Sequence, residues 1–195
     1  MDFWSVYEKE KVKADLGSSR LYIASRDRIG LSLSTVERYG SVLGMNQGSV
    51  LRFSDEFRYV VVKDLTYDLL VSIYNVNAND AILLRFSEAL GDTVVRKITD
   101  SVKKLGKPNL EMRMIGLQNT DIELLTSAER LRNATRASLI EVDLFGNETR
   151  HIVFDTKLGM SFNLLLLNRI YRPHELLTAT TLEEFNHKRS EIKFV

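Results

Sequence analysis

YVVVKDLTYDLLVSIY, Tyr59 to Tyr74, is the stretch on which the fold turns. Its β-branched and aromatic residues favour a pleated surface. The run breaks once, at Asp64 to Thr66, where turn-forming residues interrupt the apolar pattern. It therefore reads as two strands, Phe57 to Lys63 and Tyr67 to Tyr74. With Ser49 to Ser54 and a turn at Asp55-Glu56, the expectation is a three-strand meander.

On the C-terminal side, Asn75 to Asn79 is a polar loop and Asn79 or Asp80 is placed to cap a helix. Leu83, Phe86, Leu90, Val94, Ile98, Val102 and Leu105 step by three or four. That spacing predicts one long helix from Asp80 to Leu105, closed by Gly106 and Pro108. On the N-terminal side the pattern predicts a helix over Asp2 to Leu16 and a strand pair over Arg20 to Leu33. Ser34 then caps a short helix from Thr35 to Leu43, with Glu37 at the third helical position.

The second half repeats a similar order. Leu110 to Leu117 reads as a strand and Asp121 to Asn133 as a helix capped by Thr120 or Asp121. Ser138 to Phe145 and Glu148 to Asp155 read as a hairpin around Gly146-Asn147. Phe162 to Tyr171 fits a strand or a short helix, and Pro173 blocks its continuation. Leu182 to Lys188 reads as helix and Ile192 to Val195 as a last strand. The fold class expected is α+β, in two similar βαβββ-type halves, 1–105 and 106–195, with mostly antiparallel sheets and flanking helices. Arg58-Tyr59-Val60-Val61 echoes Arg150-His151-Ile152-Val153, and Ser49-Val50-Leu51 echoes Ser138-Leu139-Ile140. Self-similarity of this kind is the mark of an internal repeat, and any two βαββ stretches also align once small gaps are allowed.

The totals limit the functions open to the chain. Its 195 residues are 44% hydrophobic, enough for a core. The 27 basic and 26 acidic side chains leave a net charge of +1, with no basic surplus for a phosphate backbone, so nucleic acid is not an expected partner. There is no cysteine, which excludes disulfides, thiolate catalysis and cysteine-ligated metal. Met1 to Gly17 is charged and lacks the apolar core of an export signal, so a cytoplasmic location is expected. The longest apolar run, Leu164 to Leu167, falls far short of the ~20 residues that span a bilayer.

No catalytic constellation emerges. The glycines at Gly40, Gly44 and Gly48 have the wrong spacing for a phosphate loop, and no lysine follows them. His174-Glu175 is followed at the second ligand position by Thr178, so two imidazoles one helical turn apart are missing. His151, His174 and His187 are the only histidines. His151 and Asp155 share a strand face as an acid–base candidate, but no nucleophile accompanies them. The reading is a non-enzyme without catalytic residues, cofactor or metal.

Residues 2 to about 100 resemble the Roadblock family of scaffold proteins that bind Ras-like GTPases. The resemblance lies in element order and in Leu21-Tyr22-Ile23-Ala24-Ser25-Arg26-Asp27-Arg28-Ile29-Gly30-Leu31, which is similar to that family's first hairpin. Arg113-Met114-Ile115-Gly116 lacks the turn aspartate, and longin-like domains share much of the order. The resemblance implies a five-stranded sheet with helices on both faces. It also implies pairing through Thr35 to Leu43 and Ser49 to Phe53, with Val36, Tyr39, Leu43, Val50 and Arg52 as interface residues. Its functional implication is a protein-binding scaffold or regulator of a small GTPase, forming a homo-oligomer or an intramolecular pseudo-dimer. The alternatives are a structural or assembly subunit of a larger complex or virion, and a small-molecule sensor or enzyme.

Overall fold

Apolar runs such as Leu69–Asn75, buried at all seven positions, become central strands with both faces covered. The computed structural model describes residues 4–5, 28–31, 39–51, 58–104, 109–119, 121–145, 149–166 and 191–193. Among these, the strands are β1 (Arg28–Leu31), β2 (Gly40–Val42), β3 (Gln47–Leu51), β4 (Tyr59–Leu65), β5 (Leu69–Asn75) and β6 (Asp80–Phe86), followed by helix α1 (Asp92–Lys103). Then come β7 (Leu110–Gly116), α2 (Ile122–Thr135), β8 (Ser138–Leu144), β9 (Arg150–Asp155), β10 (Met160–Leu166) and β11 (Glu191–Lys193).

The strands form two mixed sheets, ordered β1-β10-β9-β4-β2 and β11-β3-β6-β5-β7-β8. The pairs β1–β10, β2–β4 and β7–β8 are parallel and the rest are antiparallel. The fold is α+β. Each sheet takes strands from both sides of residue 105, so the boundary expected between the halves falls within both sheets.

Alternation of side chains builds three layers. Val60, Val62, Ile152 and Phe154 of the five-stranded sheet pack on Leu70, Tyr74, Ala81, Leu83 and Ile115 of the six-stranded sheet. The opposite face of the six-stranded sheet carries Val71, Ile73, Ile82, Leu84, Met112 and Met114. There it meets Ile98 and Val102 of α1 and Leu124, Leu125 and Leu131 of α2. Each such fully buried side chain contributes roughly 1.5–3 kcal/mol.

Several expected elements differ. The helix predicted over Asp80 to Leu105 is strand β6 followed by α1, with Gly91 as the N-cap. The reason is that β6 is covered on both faces, and such an apolar run has no periodicity to tell it from a buried helix. The short helix predicted over Thr35 to Leu43 runs too far: Tyr39 is helical, but Gly40–Val42 is strand β2. The three-strand meander is not formed: β3 pairs with β6 and β4 with β9 and β2, in different sheets. Likewise β8 and β9 are not a hairpin, since β8 pairs with β7 and β9 with β4 and β10. The five-stranded sheet with helices on both faces becomes two stacked sheets with α1 and α2 on one face of the larger. The helices expected over Asp2 to Leu16 and Leu182 to Lys188 lie largely outside the described residues.

Two buried arginines tie the crossings between sheets. Arg85 pairs with Asp68 and also donates to the carbonyls of Asp64 at 3.1 Å and Leu43 at 3.5 Å. Arg150 pairs with Asp143 at 3.2 Å, and donates to Gly116 O at 3.1 Å and to Phe145 O. Arg150 and Asp143 are both almost fully buried. A buried charge without its partner is costly, so these pairs fix which turn meets which.

Candidate interaction surface

At one end of the five-stranded sheet the register lines up Gly40, Tyr59, Asp155 and Met160 on neighbouring strands. Asp155 is fully buried. One carboxylate oxygen accepts from Arg58 Nε at 3.0 Å and Nη2 at 2.8 Å. The other accepts from the amides of Lys157 at 3.0 Å and Leu158 at 3.3 Å. An aspartate opening a turn does this commonly, because its short side chain reaches the amide two residues on. Gly159 closes the turn with φ +64° and donates to Asp155 O at 2.8 Å.

The Arg58 guanidinium lies 5.1 Å from the centre of the Tyr59 ring, a cation–π geometry. Its hydrogen bond to Asp155 holds its pKa above the ordinary arginine value, against the opposing effect of burial. The Arg58 backbone binds both flanks of the site. Its amide donates to Tyr39 O at 2.8 Å, and its carbonyl accepts from Thr156 N and Oγ1, each at 2.9 Å.

Around this clasp stand exposed apolar side chains: Tyr39 at 39%, Leu158 at 53% and Met160 at 44%. The β5–β6 turn lies next to the β9–β10 turn. The contact is made from the end of β5, where the Tyr74 ring lies against Gly159. Burial raises the Tyr74 phenol's pKa, and its hydroxyl bonds to Asn79 Oδ1 at 2.5 Å. The β5–β6 and β9–β10 turns are built alike. Asn75 Oδ1 accepts from Asn77 N as Asp155 does from Lys157 N, and Asn79 takes the positive φ that Gly159 takes.

Of the five residues expected at an interface, Tyr39, Leu43 and Val50 lie among the described residues. Tyr39 is exposed and belongs to the patch above. Leu43 is buried in the core between the sheets, and Val50 is partly buried against the core under the helices. Val36 and Arg52 lie outside the described residues. His151 and Asp155 do not meet. His151 Nδ1 accepts from Asp64 N at 3.3 Å, while Asp155 is engaged by Arg58. His174 and His187 lie outside the described residues. Among the described residues, no cluster of His, Cys, Asp or Glu is placed to hold a metal ion.

Sequence reasoning missed Arg58, Asp155, Leu158 and Met160 as one site. The available signal was the Asp155-to-Gly159 turn itself, an aspartate four residues before a glycine after an apolar strand. No protein-family model matches the chain, and no curated protein matches it. Among the described residues no helix is long and apolar enough to cross a membrane.

Proposed function

We propose that this chain is a non-enzymatic, cytoplasmic protein-binding scaffold, and that its partner is a Ras-like small GTPase. The observation that carries the binding role is the set of exposed side chains Tyr39, Leu158 and Met160 on the segments that flank the Arg58–Asp155 clasp. Tyrosine, methionine and arginine are enriched at protein interfaces. A rigid backbone beneath them lowers the ordering cost of association. The polar groups nearest the patch are already bonded to one another, which favours contact over proton transfer. The choice of partner is supported by the order of elements and by the Leu21 to Leu31 segment.

The test is affinity capture from the native extract with GDP and with a non-hydrolysable GTP analogue, using wild type and the M160D and L158D variants. A Ras-like GTPase enriched in one nucleotide state, and lost at least tenfold in both variants, is expected. Stoichiometric partners indifferent to nucleotide would replace the GTPase reading with an assembly role. Capture unaltered by either substitution would remove the patch from the binding role.

A further inference from the structure

The Asp155 carboxylate at the centre of the clasp is saturated. It is fully buried and accepts from Arg58 Nε and Nη2 and from the amides of Lys157 and Leu158. The cations around it are not saturated. Arg58 is still 40% exposed, and nothing among the described residues bonds to its Nη1. Lys157 is exposed, and its ammonium has no partner among the described residues. Two cations against one carboxylate leave a positive excess. Two further carboxylates act on the Tyr74 phenol, Asp80 and Glu111, and both are engaged, Glu111 by Arg113 at 2.9 Å. The excess is local, since the whole chain has 27 basic and 26 acidic side chains.

A guanidinium carries five N–H donors in a planar fork, so an arginine bonded along one edge can take a second carboxylate at its outer end. Its bond to Asp155 fixes the fork in place, which lowers the ordering cost of that second contact. Lys157 adds a point charge on the same turn. Leu158 and Met160 stand exposed beside it. Apolar contact on them excludes water, and ion pairs strengthen where water is excluded. Lys157, Leu158 and Met160 lie within one turn and the first residue of β10, a footprint that a short segment covers.

Resting on the reading of this surface as the binding site, we propose that its partner offers a short acidic segment. An Asp or Glu of that segment meets Arg58 and Lys157, and an adjoining apolar side chain packs on Leu158 and Met160. The test pans the full chain against a random linear peptide library. Enriched peptides are then titrated with wild type, Lys157→Glu, Lys157→Gln and Leu158→Ser. Lys157 and Leu158 hold Asp155 through their backbone amides, which these substitutions keep, and an unchanged Tm checks the fold. Arg58 is left intact, because its loss would strand the buried Asp155 charge.

The enriched peptides are expected to carry Asp or Glu beside apolar residues. Their Kd should weaken about tenfold or more with K157E, less with K157Q, and also as salt rises from about 50 to about 500 mM. L158S should weaken it severalfold. Peptides weakened by L158S but indifferent to K157E and to salt would keep the surface as the binding site and overturn the acidic partner. Peptides indifferent to L158S as well would remove the surface and the proposed binding role with it. Enriched peptides without carboxylates, or no enrichment, would also overturn the acidic partner, and the nucleotide-dependent capture would then decide the binding role by itself.

Discussion

Gly159 stands where no other residue fits. Its φ is +64°, and a Cβ there would overlap the Tyr74 ring. Gly159→Ala should cost about 2–4 kcal/mol from left-handed strain and displacement of the ring, read from denaturant midpoints. Gly91 gives the contrast: it sits exposed at the α1 N-cap, and nothing lies within 4 Å of a Cβ added there. Gly91→Ala should cost under about 1 kcal/mol. Equal losses at the two positions would refute the packing account. The Tyr74 phenol adds a pH dependence. Burial raises its folded pKa, so the folded state holds the proton after the unfolded state has released it. Stability from this residue is complete below about pH 10 and falls as pH rises beyond it. Tyr74→Phe should melt with a weaker alkaline decline than wild type above about pH 10. An identical decline would remove Tyr74 from the effect.

The α2 helix was legible because its start is written locally. Asp121 caps it, accepting from Glu123 N and Leu124 N, each at 3.0 Å. Asp121→Ala should cost about 1 kcal/mol, or about 2–4 °C in Tm, and Asp121→Ser should recover most of it. Strands were legible too, since β7, β8 and β9 lie within a residue or two of the runs read from β-branched residues and turns. What could not be read was their pairing. Residues that signal a turn at Gly146-Asn147 do not say whether the chain folds back or crosses to another sheet. The crossing is held by the buried Arg150, which bonds Asp143 across the turn and Gly116 O, 34 residues away in sequence. The β6 strand misread as helix fails for the same reason at shorter range, because Leu83 and Leu84 are both buried, on opposite faces.

The candidate surface exists only in the assembled molecule. Arg58 and Asp155 are separated by 97 residues, and no local pattern announces that they meet. Both sheets mix strands from 1–105 and 106–195. Fragments cut at residue 105 should therefore each lack a cooperative melt by circular dichroism, and mixing them should restore one. A cooperative melt from either fragment alone would mean that the shared sheets are dispensable. The same interleaving bears on how the protein is made. At ~5–20 residues per second, Tyr59 emerges from the ribosome roughly 5–20 s before its neighbour Asp155 can reach it. Strand β3 waits longer still, since Ser49 pairs with Glu191. Through that interval Val60 and Val62 lack the β9 strand, with Ile152 and Phe154, that pairs with them and completes their layer of the core. The nascent chain should thus depend on a holding chaperone, and its yield should fall where translation is slowed between β4 and β9.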